Sequence, residues 1–243
     1  MKKRLLRLLT GLSVALAVLI FGVVILSRAL AWHQTLYHGN PGDYWIAQIN
    51  GPDAAASNQA DAILNAEIIP HLTEVMMHDN EDPALKLALV KELNSLPGVS
   101  IPFVPARDRR KGAARELGEY GPAARAAVPV LLQALNGGDD AVRESAAISL
   151  GSIHAEPEVV IPALIACLGE DDVNESVVTA LAEFGAQARP AVPRILPLLH
   201  SYDGETQWAA AGALRKIDPD AYARATSTNS NAVTNEVGAT GAK

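Results

Sequence analysis

The chain of 243 residues holds a single cysteine, Cys167, which leaves no partner for an intrachain disulfide and no basis for a multi-cysteine metal site. Aromatic residues make up 5% of the chain against 49% apolar residues in all. A core of Ala, Leu, Val and Ile with so few rings suits closely packed helices better than strands, and the expected fold class is all-α. Five of the 20 basic residues (Lys2, Lys3, Arg4, Arg7 and Arg28) fall within residues 1–31, where there is no acid, so the other 15 face all 27 acids and leave the body at −12. That body lacks the basic footprint that nucleic acid phosphates demand, and no nucleic acid partner is expected. Also missing are a nucleotide-binding glycine fingerprint, a GxSxG elbow and an HExxH pair. With no cluster of acid, base and nucleophile at readable spacing either, the expectation is a protein that is not an enzyme, with no catalytic residue, cofactor or metal.

The one long uncharged run extends for 19 residues, from Leu8 to Leu26. As a helix it would reach roughly 28 Å, close to the hydrocarbon thickness of a bilayer. Four basic residues precede it, and no Lys or Arg occurs between Ala29 and Leu85, so the positive-inside rule places the N-terminus in the cytoplasm and the rest across the membrane. The rival reading is a secretory signal cleaved at Ala29-Leu30-Ala31. Residues 32–52, a juxtamembrane linker, carry half of the Trp and Tyr; Trp32 and Tyr37 are expected at the headgroup level, with Gly39-Asn40-Pro41-Gly42 as a flexible elbow.

Further on, Leu117, Leu150, Leu181 and Leu214 recur at intervals of 33, 31 and 33 residues, and Pro129, Pro162 and Pro193 keep the same 33 and 31. A period of this length built from two helical segments signals a solenoid, in which stacking buries the faces that no unit can bury alone. Helix A is read in "DDAVRESAAISLGSI", capped by Asp139 or Asp140, with Gly118, Gly121 and Gly151 near its end as left-handed caps. Helix B opens near Val128-Pro129, Ile161-Pro162 and Val192-Pro193, proline being tolerated in a first turn. Its buried stripe reads Leu131, Leu132 and Leu135, matched by Leu164, Ile165 and Leu168 and by Ile195, Leu196 and Leu199.

This "AAxxLGxxG…AVPxLxxxL" pattern resembles bacterial HEAT repeats, of the short type also seen in phycobilisome lyase-like proteins. The resemblance covers residues 106–217 and implies a HEAT-like α-solenoid of antiparallel helix pairs whose B helices line a concave face. Residues 53–105 read as degenerate repeats, with "DAAASNQADAILN" as a helix A and "EIIPHLTEVMM" as the helix B after it. Residues 218–225 read as a capping helix begun by Asp218, and residues 226–243 as a disordered tail.

On that orientation Val130, Gln133, Ala163, Ala166, Arg194 and Pro197 line the concave face, a shallow surface suited to an extended peptide or a helix. Trp208 takes the repeat position held by Lys111, Glu144 and Glu175, so it must be covered by Tyr222 and the capping helix or used as a hot spot. Glu67, His71, Glu74 and His78 form one helical stripe, which is where a solvated face belongs; "RDRRKGAAR", residues 107–115, could meet an acidic partner or pair with neighbouring acids. Cys167, in register with Ala134 and Leu198, reads as a packing residue. The function expected is a membrane-anchored scaffold or adaptor that binds a protein or peptide partner outside the cytoplasm. The alternative that the resemblance implies is a lyase-like protein acting in chromophore or cofactor attachment.

Overall fold

The computed structural model describes residues 36–79, 81–169 and 173–227. The apolar run 8–26, the Ala29-Leu30-Ala31 site, Trp32 and residues 228–243 lie outside them. Among the described residues the regular structure is helical apart from one isolated bridge, and no helix is long and apolar enough to cross a membrane.

That bridge pairs Tyr37 with Asn40 through two backbone hydrogen bonds of 2.8 and 3.0 Å. His38 and Gly39 between them both have positive φ, 51° and 79°, the backbone of a tight two-residue hairpin turn. The expected elbow is therefore an ordered turn. The Trp45 indole donates to the Tyr37 carbonyl at 3.1 Å, and both rings are buried in the core. Tyr37 is thus a core residue and not an interfacial one. Trp45 belongs to α1 (Gly42–Ile49), which packs on the start of α2.

In α2, Ala54–Ile63, Leu64–Ile68 and Ile69–His78 run on without a break, capped by Asp53, whose carboxylate accepts from the Ala55 amide at 2.9 Å. The expected helix A and helix B are thus one helix. Pro70 lacks an amide for its own hydrogen bond, and the chain absorbs it by widening the preceding turn, where the Ile69 amide reaches back to the Leu64 carbonyl. Residues 79–83 lead to α3 (Ala84–Asn94), on which Val90 alone is buried while Leu85, Leu87 and Leu89 are exposed.

The repeats follow as α4 (Ala106–Glu119), α5 (Val128–Leu135), α6 (Asp140–Ile153), α7 (Pro157–Cys167), α8 (Asn174–Glu183), α9 (Val192–Ile195, continued by a 3-10 turn Leu196–His200) and α10 (Gly204–Ile217). Helix α11 spans residues 219–227, where the Asp218 carboxylate accepts from the Ala221 amide at 2.9 Å. The long helices α4, α6, α8 and α10 stack side by side, with the end of α2 against α4. The shorter elements form a second layer, α5 packing on α6 and α7 on α8. One buried cluster runs without interruption from Tyr37 to Ala221, and the four periodic leucines, Leu117, Leu150, Leu181 and Leu214, are fully enclosed in it.

Two of the three glycines read as caps have a different role. A Cβ on Gly118 would lie 2.9 Å from the Ser149 Cα, and one on Gly151 would lie 2.8 Å from the Ala180 Cα. Both therefore sit inside helices, where they let α4 approach α6, and α6 approach α8, backbone to backbone. Gly121 and Gly185 do take left-handed backbone, at φ 56° and 54°, and the same register position in the middle repeat holds His154 at φ 51°. The start of α7 also differs from expectation: it begins at Pro157, which leaves Pro162 inside the helix and the Glu158 carbonyl without its usual donor.

Candidate interaction surface

The residues read as a concave face do not converge. Val130 is buried, because the end of α2 covers that side of α5; it shares a cavity of about 230 Å³ with Met76, Met77 and Gln133. Gln133 is exposed, Ala163 half-buried and Ala166 exposed. Arg194 is engaged within the fold, its guanidinium donating to the Leu168 carbonyl at the end of α7, and Pro197 is exposed in the turn beyond it. The open apolar groove on this side, about 540 Å³, is lined by Pro157, Ile161, Pro162, Ile165 and Pro190. It differs from the expected set because starting α7 five residues before Pro162 presents a different edge of the helix.

The basic run is absorbed by the fold. Arg107 and Arg110 bind opposite oxygens of Asp139 at 3.0 and 3.2 Å, and Asp139 also caps α6. Arg109 reaches Asp79, Asp82 at 3.0 Å and the Val104 carbonyl, and Arg115 lies 3.5 Å from Glu119. These are the neighbouring acids that the sequence offered as one of two readings. Of the acid–histidine stripe, Glu67 bonds His38 at 2.8 Å and His71 packs edge-on against Tyr37. Cys167 is buried.

Trp208 is 78% exposed, so neither Tyr222 nor α11 covers it. The Tyr222 ring is occupied instead by Arg215, whose guanidinium stands 4.8 Å from its centre and donates to its hydroxyl at 3.0 Å. Trp208, Leu199, His200, Gln207, Tyr222 and Ala225 line an open groove of about 450 Å³. One repeat before Trp208 stands Glu175, and one before that Glu144. Burial raises the Glu175 carboxyl above its usual value, and the like charges of Glu205, Asp203 and Glu144 add to it. Asp203 itself is held low by the Thr206 side chain and amide as it caps α10. The outer edge of α6, α8 and α10 is thus an acidic ridge that ends in a bare indole. Periodicity pointed to Trp208, but the crowding of carboxylates from three separate helices has no signal in a linear pattern.

A comparison with curated proteins finds none that matches. Among solved structures, the chain is similar to the complex of CpcE and CpcF of phycocyanin lyase from Nostoc sp. PCC7120, with 24% identity and a TM-score of 0.47 over 78% of this chain and 71% of that one. The expectation that the chain is not an enzyme is corrected by this finding, since a protein of similar helical build is named as a lyase. At that TM-score the likeness assigns no activity here. The family of HEAT repeats matches residues 105–182, the span of α4 to α8 whose stacked pairs are described above, and this part of the chain is built of HEAT repeats.

Proposed function

We propose that this protein is a membrane-tethered binding module that docks a protein segment carrying basic residues around an apolar anchor. The anchor would enter the groove at Trp208, and the basic residues would lie along Glu205, Glu175 and Glu144. One observation carries the reading: an indole left 78% exposed at a repeat position where the neighbouring units hold Glu144 and Glu175. An exposed tryptophan beside a hydrophobic groove has the composition of an interface hot spot. Like-charged carboxylates crowded on one ridge gain from a cationic partner, which also steers its approach. The uncharged run from Leu8 to Leu26, with Lys2, Lys3, Arg4 and Arg7 before it, supports a tether that confines this surface to the far side of a membrane.

The test is photocrosslinking from residue 207, next to the indole, in native membranes that retain the full chain. One discrete adduct is expected, lost in Trp208→Ala, weakened in Glu144→Gln/Glu175→Gln and weakened again by raised salt. An Arg125→Ala control, far along the chain, keeps it. If no adduct forms, or if it persists in Trp208→Ala, the docking reading fails. Extraction of the chain from membranes by alkaline carbonate would separately overturn the tether.

A further inference from the structure

A second site lies at the other end of the stack. The hairpin and α1, the latter part of α2 and the latter half of α4 line a cavity of about 470 Å³, with Tyr37, Asp43, His71, Val75, Arg115 and Glu116 among its residues. Its volume is that of a small-ligand pocket. One hydroxyl in its wall has no hydrogen-bond partner: that of Tyr37, on a side chain 5% exposed. A buried hydroxyl left unsatisfied is costly, so this one calls for a bound group.

The Glu116 carboxyl and the Tyr120 hydroxyl behind it belong to one cluster. A Cβ on Gly42 would stand 2.5 Å from Glu116 Oε1 and 2.8 Å from the Tyr120 hydroxyl, so the missing side chain at Gly42 is what leaves room for this carboxyl and phenol together. The Glu116 carboxyl is raised by burial first and then by Glu119 and Asp43, while the Tyr120 hydroxyl works the other way. The charges around the cavity are unbalanced. Asp43, Glu116 and Glu119 stand against Arg115, which is itself committed to Glu119 at 3.5 Å. An anion is disfavoured by three carboxylates. Among the described residues no group of three His, Cys, Asp or Glu side chains is placed to hold a metal ion. What the set offers is one half-buried carboxylate and one buried phenol oxygen, acceptors for a group with several N–H donors and a positive charge, in a space larger than the charged group alone.

We propose that the cavity between the hairpin, α2 and α4 binds an organic ammonium ion, its nitrogen held by Glu116 and the Tyr37 hydroxyl. The proposal stands independently of docking at Trp208. The same chemistry is carried by a soluble alkylamine and by the ethanolamine headgroup of a lipid, and the experiment separates them.

Full-length protein is reconstituted in nanodiscs of phosphatidylglycerol, which has no amine, and its amide resonances are followed as n-butylammonium is added. In a parallel arm the disc lipid carries phosphatidylethanolamine. Saturable shifts at Gly42 and Glu116 are expected in at least one arm, with the soluble arm identifying a free amine and the lipid arm a headgroup. Tyr37→Phe keeps the ring in the core and removes one acceptor, so affinity falls about 5- to 10-fold, the equivalent of the roughly 1–1.4 kcal/mol expected of one hydrogen bond. Glu116→Gln abolishes binding. Absence of saturable shifts in both arms, or equal affinity in wild type, Tyr37→Phe and Glu116→Gln, overturns the site.

Discussion

His154 shows how far a single residue can depart from a repeat without breaking it. In the flanking units the corresponding turn is made by Gly121 and Gly185, where left-handed backbone carries no steric cost. At His154 the same φ is imposed on a residue with a Cβ, and the imidazole offsets the strain by stacking on Phe184 at 4.8 Å with the rings 16° from parallel. Left-handed backbone costs roughly 1–2 kcal/mol outside glycine, and an aromatic pair contributes about 0.5–1.5 kcal/mol. His154→Ala loses the stack and keeps the strain, whereas His154→Gly loses both. The glycine variant is therefore expected to be more stable than the alanine variant by about 1 kcal/mol in urea unfolding, and the reverse order would show that the turn is not strained. Glu116 offers a test by pH. Its folded-state carboxyl is raised above the usual 4.5 by burial, then by Glu119 and Asp43, so its protonated form stabilises the fold below 4.5 and that stability is lost as pH rises through the folded value. The facing groups are Tyr37, Asp43, His71, Arg115, Glu119 and Tyr120. Glu116→Gln should match wild type in acid and become progressively more stable than it toward neutral pH.

At the scale of elements, the sequence marks some boundaries and misplaces others for identifiable reasons. Asp139 is legible as the start of α6 because a short carboxylate ahead of an apolar helical pattern has one common use, and its oxygen does accept from the Val142 amide. Pro162 misleads because the register of Pro129 and Pro193 places it in a first turn, while Pro157 has already started α7. With that earlier start the groove is faced by Ile161 and Ile165 in place of the expected Ala163 and Ala166. Val130 misleads because the cover that buries it comes from α2, more than fifty residues earlier in the chain. Pro70 reads as a helix boundary, since a linear pattern cannot show that a neighbouring turn will widen around it. The tie that holds the path around α3 is also visible only in three dimensions. Between α2 and α4 the path through α3 is held by Arg109, which gathers Asp79, Asp82 and the Val104 carbonyl. Burial works to raise the Asp82 carboxyl, but the Ala106 amide and Arg109 outweigh it and hold it below its usual 3.8. Arg109→Met should leave the repeats folded while a protease cuts within residues 80–105 several-fold faster, about the tenfold that 1.4 kcal/mol of local opening represents. Acid should do the same to wild type as pH falls below 3.8, because a depressed carboxyl stabilises only while ionised. Equal cleavage of both proteins would remove Arg109 from this role.

As a whole the molecule is a row of units, each in contact with its neighbours, and its stability should be distributed accordingly. Leu150 and Leu214 occupy the same register position and are both fully enclosed, so truncating either to Ala removes the same atoms at a comparable cost of about 2–5 kcal/mol. Their neighbourhoods differ. Leu150 lies on α6, which packs against α4 on one side and α8 on the other, with α5 across it. Leu214 lies on α10, which has α8 on one side and α11 after it. In a chain governed by nearest-neighbour contacts, a defect at the end lets the terminal unit open alone, whereas a defect in the middle weakens the interfaces on both sides. Amide hydrogen exchange of the full chain should therefore show Leu214→Ala losing protection in α10 and α11 while α4 and α6 keep theirs. Leu150→Ala should lose protection together in α4, α6 and α8. If Leu214→Ala lowers protection uniformly to the same degree, the unbroken core from Tyr37 to Ala221 behaves as one cooperative body and stacking is not the unit of its stability.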